Sequence, residues 1–255
     1  MKKSKIIGVV GGVGPYAGLD LNKKIFDQTR AVTDQDHVPV ILVSLSDQIP
    51  DRTEFLSGKI KQNPAEPIAK IIQTLPVLGV KVVGIPCNTA HAPRIFKRIL
   101  QILKQSKIQI KVLNMIGETA RYTRRMYPAV KKVGLLGTSG TVHADVYGQI
   151  MRPLGLDIVY PSEDFQHKLV HDAIYNKKYG IKAQSSPVSA RAQLQLLKAA
   201  VQLKQKGAQL IILGCTEIPL ALTGKKIAGL PALDPTLILA RALIREVAPQ
   251  KLKKE

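Results

Sequence analysis

LGVKVVGIPCNT, Leu78–Thr89, and KGAQLIILGCTE, Lys206–Glu217, are the two stretches on which the fold turns. Each runs from a glycine through an apolar segment to a cysteine, and laying one on the other puts Gly79 on Gly207 and Cys87 on Cys215, 128 residues apart. Short apolar runs bounded by turn residues read as buried strands of a parallel sheet. Two more matches follow in the same order. IIGVVGGVG from Ile6 answers KVGLLGTSG from Lys132 at an offset of 126, setting Gly8 on Gly134 and Gly11 on Gly137. VLNMIGETA from Val112 answers ALDPTLILA from Ala232 more weakly, at 120. Matching segments in one order at a nearly constant offset are the mark of a duplicated unit.

Working outward, β-branched runs alternate with amphipathic stretches, the pattern of a parallel α/β protein. Strands are expected at Lys5–Val10, Val38–Leu45, Val80–Ile85, Ile108–Leu113, Lys132–Leu136, Leu156–Val159 and Gln209–Leu213. The expected fold is α/β: two similar pseudo-symmetric lobes, each a mainly parallel sheet flanked by helices, with an active site in the cleft between them. The first lobe is expected at residues 1–103 plus 227–255, closed by the final helix within DPTLILARALIREVA, and the second at 104–226. Open α/β sheets bind ligands outside the carboxyl ends of their strands, which is where each cysteine falls.

Composition narrows the function classes. No apolar run approaches the roughly 20 residues that span a bilayer, so no membrane partner is expected. The start MKKSKIIGVVGGVG mimics a secretory signal, but its apolar part is rich in glycine and lacks a small-x-small cleavage site, so it reads as a first strand. Two cysteines without a secretory context make a poor disulfide framework and fit a reducing cytoplasm. The net charge of +20 raises the question of nucleic acid, yet the chain has no Trp, few aromatics for base stacking and no nucleic-acid motif. A solvated basic surface that steers anionic substrates is the expected reading.

GVGPYA, Gly12–Ala17, has the form of a dinucleotide fingerprint. The acidic residue it needs at the end of the second strand is missing, because the acids of DQDHVPV precede that strand. No cofactor is expected. What remains is a backbone-exposing turn at Gly12 and Val13, suited to a carboxylate, and its counterpart GTSGT adds Thr138 and Ser139. As an alternative, those hydroxyls simply cap helices.

With no C-x-x-C and five scattered histidines, a metal site is not expected. A cysteine hydrolase could use Cys87 with His91 but leaves Cys215 idle. Two-base proton exchange uses both thiols: one, as thiolate, takes a proton from a carbon beside a carboxylate, and the other delivers one to the opposite face. Both cysteines precede a turn or helix, an arrangement that lowers a thiol pKa from about 8.5. The base itself supplies about 10²–10⁴-fold, and the rest must come from hydrogen bonds to the substrate carboxylate.

PCNTAH and GCTE, with GVVGGVGP before them, closely resemble the aspartate/glutamate racemase family and within it the aspartate racemase branch, over nearly the whole chain. The resemblance implies a cofactor-independent racemase of two α/β lobes, a homodimer, acting on a small acidic amino acid. It assigns acid/base roles to Cys87 and Cys215 and α-carboxylate binding to Asn88, Thr89 and Thr216. For the distal carboxylate it points to Arg52 in IPDRTEF and Lys182 in YGIKA, with Lys178 as the fallback. Glutamate racemases usually carry an acidic residue and a Ser in the first turn and a His after the second Cys-Thr. Here those places read GGVGP and Glu217, so Glu217 joins the candidate substrate-binding residues and aspartate is favoured, glutamate staying open. Maleate isomerisation, malonate decarboxylation and hydantoin racemisation use the same cysteine positions and stay open as alternatives.

Overall fold

Strands that are apolar on both faces must be covered on both, and the chain meets that demand twice. The computed structural model describes residues 5–254, so Lys2 and Lys3 of the leader-like start and the last residue of the basic tail KLKKE lie outside the described residues. Contacts divide the chain into two compact units, Met1–Glu118 with Thr236–Glu255, and Thr119–Pro235.

In the first unit, β1 (Ile6–Val10), β2 (Val40–Val43), β3 (Val80–Gly84) and β4 (Lys111–Val112) form a sheet of order β2-β1-β3-β4. All its pairings are parallel. In the second, β5 (Lys132–Gly137), β6 (Asp157–Val159), β7 (Leu210–Gly214), β8 (Lys226–Ile227) and β9 (Leu230–Leu233) take the order β6-β5-β7-β9-β8. Only β8 runs antiparallel there.

The ladder registers reproduce the offsets between the two halves of the sequence. Gly8 lies beside Val83 and Gly134 beside Ile211, displacements of 126 and 128. Val83 lies beside Val112 and Ile211 beside Ala232, which adds the displacement of 120. The packing repeats too. A Cβ on Gly8 would come within 2.9 Å of Val80 and 3.0 Å of Leu75, and one on Gly134 within 3.1 Å of both Ala208 and Leu203. Those neighbours are themselves 128 residues apart, so in each unit the helical segment before the cysteine strand lies against a glycine of the neighbouring strand.

Each unit has its own apolar core. Ile68, Ile72, Val83, Ile95 and Ile99 pack together in the first, with Cys87. Ile174, Leu196, Leu203, Ile211 and Ile218 do so in the second, with Cys215. Helix Pro235–Val247 belongs with the first unit, where Leu239 and Leu243 lie against Gly84 of β3.

Three features differ from the expected elements. The strand at Ile108–Leu113 shrinks to Lys111–Val112. The β8–β9 hairpin was not foreseen: Ala228 and Gly229 take φ of 50° and 79°, a turn normally announced by Asn-Gly or Asp-Gly, and Pro231 argues against a strand. Within the helical stretch Glu163–Tyr175, residues Gln166–His171 are π-helical. Among the described residues no helix is long and apolar enough to cross a membrane.

Candidate active site

In the first unit, β3 carries the chain to its carboxyl end and Ile85-Pro86 turns it into Cys87, which is 6% exposed. A short turn, Thr89–His91, follows. His91 is buried, with Nδ1 2.8 Å from the Cys87 carbonyl oxygen and its ring stacked on Phe96. Burial lowers its pKa to about 4, against the pull of the Cys87 and Leu113 carbonyls. The ring is therefore neutral at ordinary pH, and with Nδ1 protonated it donates to the Cys87 carbonyl. His91 clamps the loop that carries the thiol.

Asn88 and Thr89 are buried beside Cys87, and the Asn88 side chain does not cap the turn it precedes. The glycine-rich turn after β1 is held open by its backbone. Gly12 has φ of 76°, and a Cβ there would lie 2.9 Å from backbone atoms of Leu45 and Ser46. The buried Val13 offers its carbonyl to Arg52, whose Nη2 donates at 2.9 Å while Nη1 donates to the Pro50 carbonyl at 3.3 Å. Arg52 is itself only 8% exposed and begins helix Arg52–Leu56, capped by Asp51 through the amides of Thr53 and Glu54. The two contacts orient the guanidinium at the Gly12–Val13 turn.

In the second unit Cys215 directly follows β7 and is 5% exposed. Its thiol donates to Glu217 Oε2 at 3.0 Å, and the Thr216 hydroxyl donates to the same oxygen at 3.1 Å. Lys182 Nζ reaches Glu217 Oε1 at 2.9 Å and lies over the Tyr175 ring. Burial alone would raise the Glu217 pKa, but the Lys182 charge and the hydrogen bonds outweigh it and the carboxyl stays ionised. For Cys215 the order of causes is burial, then the Glu217 charge, both upward, with Lys182 opposing, and the thiol is pushed well up. The expectation of a lowered value fails at Cys215, because burial and, after it, an ionised carboxylate two residues on outweigh the short helix that follows. Lys178 is exposed, with its amide nitrogen on Asn176 Oδ1, whereas Lys182 is brought to the cysteine motif.

Thr138 and Ser139 follow β5, whose Gly137 lies beside Gly214 of β7, so they occupy the strand end next to Cys215. Thr138 caps helix Ser139–His143 through the Thr141 amide, as the capping alternative has it. Ser139 Oγ lies 3.1 Å from His171 Nδ1. Gln166, buried, donates to the Gly137 carbonyl at 3.0 Å. Fully buried Tyr147 has its pKa raised by burial, by Asp234 and by Cys215. Neither Gln166, His171 nor Tyr147 was among the candidates read from the sequence. The π-helical stretch breaks the helical period that would have placed Gln166 and His171 on an inner face, and Tyr147 sits in a short helical turn without periodicity. Among the described residues no cluster of His, Cys, Asp and Glu could hold a metal ion.

Comparison with known proteins follows the same line. The family model described as Asp/Glu/Hydantoin racemase matches residues 10–243. The broad specificity amino-acid racemase RacX of Bacillus subtilis (strain 168) is 23% identical over 94% of this chain and 96% of its own. The aspartate racemase of Picrophilus torridus superposes with a TM-score of 0.79 at 29% identity, covering 98% of this chain and 96% of that one. An aspartate racemase homologue from Pyrococcus horikoshii OT3 shares the fold, with a TM-score of 0.73 at 22% identity over 96% and 99% of the two chains.

Proposed function

The chain belongs to the Asp/Glu/hydantoin racemase family, and on that premise we propose that it interconverts L- and D-aspartate, without a cofactor, by two-base exchange at Cα between Cys87 and Cys215. One observation carries the reading. The two thiols occupy the same position in two register-matched units, each buried at the carboxyl end of a cysteine strand and each followed by small buried donors.

In this reaction one sulfur, as thiolate, removes the Cα proton and the other donates its own proton to the opposite face. The carbanion is stabilised through its α-carboxylate by Asn88, Thr89 and the backbone N–H of Thr216, whose hydroxyl is held by Glu217, with the turns at Gly12–Val13 and Thr138–Ser139 adding donors. Arg52, a planar fork fixed by two carbonyls, suits the distal carboxylate. Lys182 completes that charge while shared with Glu217. The broad specificity of the Bacillus relative and the likeness to the Picrophilus aspartate racemase together favour a panel of acidic amino acids with aspartate first. Both thiols are free, which suits a reducing cytoplasm, and a homodimer is part of the proposal.

The test is L-aspartate in deuterated buffer without added pyridoxal phosphate, followed by chiral chromatography and mass spectrometry. D-aspartate carrying solvent deuterium at Cα is expected, and no exchange with any acidic amino acid would end this reading. Cys87→Ser and Cys215→Ser should each lose at least about 10²-fold in racemisation, the scale of a general base. Full racemisation in either would overturn the two-base assignment, whereas turnover of maleate or a malonate by one thiol alone would favour isomerisation or decarboxylation.

A further inference from the structure

The second cysteine is built differently from the first, and the difference lies in its partners. Glu217, 4% exposed, receives three hydrogen bonds: from the Cys215 thiol at 3.0 Å and the Thr216 hydroxyl at 3.1 Å on one oxygen, and from Lys182 at 2.9 Å on the other. A buried carboxylate held this way has little freedom to turn toward a ligand, and an ionised carboxylate can only accept. The single mobile proton between Cys215 and Glu217 therefore belongs to sulfur.

We propose that Glu217, gripped by Lys182, is a positioning residue that keeps the Cys215 proton on sulfur, so that Cys215 meets the substrate as the proton donor. The inference rests on the racemase reading above and assigns Glu217 to the thiol rather than to the substrate. In the donating step the Sγ–H bond breaks, a Cα–H bond forms with the carbanion's electron pair, and the charge passes to Cys215 as thiolate. That thiolate lies beside Glu217, with Lys182 as the countercharge. Repulsion from the carboxylate makes it a strong base for the return step. The charged and titratable groups acting on Cys215 and its partners are Glu217, Lys182 and the buried Tyr147, which stays neutral.

The chain has two cysteines, so labelling cysteine with carbon-13 at Cβ gives two signals whose shifts report thiol or thiolate without a reagent entering the site. Cys87→Ser assigns them. In Glu217→Gln, which keeps volume and an acceptor but removes the charge, the Cys215 midpoint should fall by at least about one pH unit, roughly tenfold more thiolate at a given pH below it. The alkaline limb of kcat/KM should fall with Cys215, equally for both enantiomers because racemisation has an equilibrium constant of unity. If Glu217→Gln does not fold, Glu217→Met, which also removes the charge at similar volume, carries the test, and there too the Cys215 midpoint should fall. A Cys215 midpoint that is unmoved or moves the other way in the folded variant overturns the proposal. The titration involves no turnover. A racemase with an unmoved Cys215 therefore rejects only this inference, and a shifted Cys215 in a chain that racemises nothing rejects only the activity.

Discussion

His91 sits four residues after Cys87, the spacing that invites a catalytic dyad, and burial decides against it. An imidazole with a pKa of about 4 is too weak a base to take a thiol proton at neutral pH, and its Nδ1–H is already given to the Cys87 carbonyl. Its bond to the Cys87 carbonyl gives it a different task, holding the loop. That task has a pH signature. The unfolded chain protonates His91 near its ordinary value of about 6.5 while the folded chain resists until about 4, so the stability this residue contributes is present above about 6.5. It is lost as pH falls between the two, by roughly 3 kcal/mol in all. Urea denaturation at pH 7 and pH 4.5 should show a smaller loss on acidification in His91→Gln than in the parent chain. Glu217 acts in the same direction: its lowered pKa adds stability above the ordinary carboxylate value that disappears at lower pH still. Measuring both pH values in both proteins isolates the His91 part.

At the scale of elements, the matched glycines are the clearest record of duplication. Gly79 and Gly207 have φ of 84° and 88° where the chain turns from a helical segment into the cysteine strand, and nothing crowds a Cβ at either place. An alanine in that left-handed conformation costs about 1–2 kcal/mol by backbone sterics alone. Gly79→Ala and Gly207→Ala should therefore destabilise by similar amounts in chemical denaturation, and a large difference would show that the two turns do not do the same work. Strands with strong β-branched runs, such as β1, β3, β5 and β7, were legible because their pattern is local. The β8–β9 hairpin was not, since Ala228 takes a positive φ that its side chain does not announce and that the surrounding pairing must enforce. The π-helical stretch escaped for a related reason: one extra residue in a turn rotates everything after it around the helix.

For the whole molecule, the chain order matters as much as the elements. The first unit is discontinuous, and helix Pro235–Val247 returns to cover β3 only after the second unit has been made. Leu243 is fully buried and lies against Gly84, where a Cβ would approach it to 2.7 Å. Leu243→Ala should cost about 2–5 kcal/mol through lost burial and the cavity left behind, read as a lower urea midpoint. If the midpoint is unchanged, the last helix is not part of the first core.

What the amino-acid sequence determined by itself was the repeated unit: the apolar strand segments, the glycines that recur at matched offsets, and the placing of two thiols at matched strand ends. These follow from patterns local in the chain, which the ladder then copies residue for residue. The state of the second thiol was decided only by tertiary structure. Lys182 stands 35 residues from Glu217 and Arg52 39 residues from Val13, and a charge in a buried place is governed by whichever groups folding brings within a few ångströms. A turn that should have lowered the Cys215 pKa was overruled in this way, first by burial and then by a carboxylate that keeps its own charge because a distant lysine came to meet it.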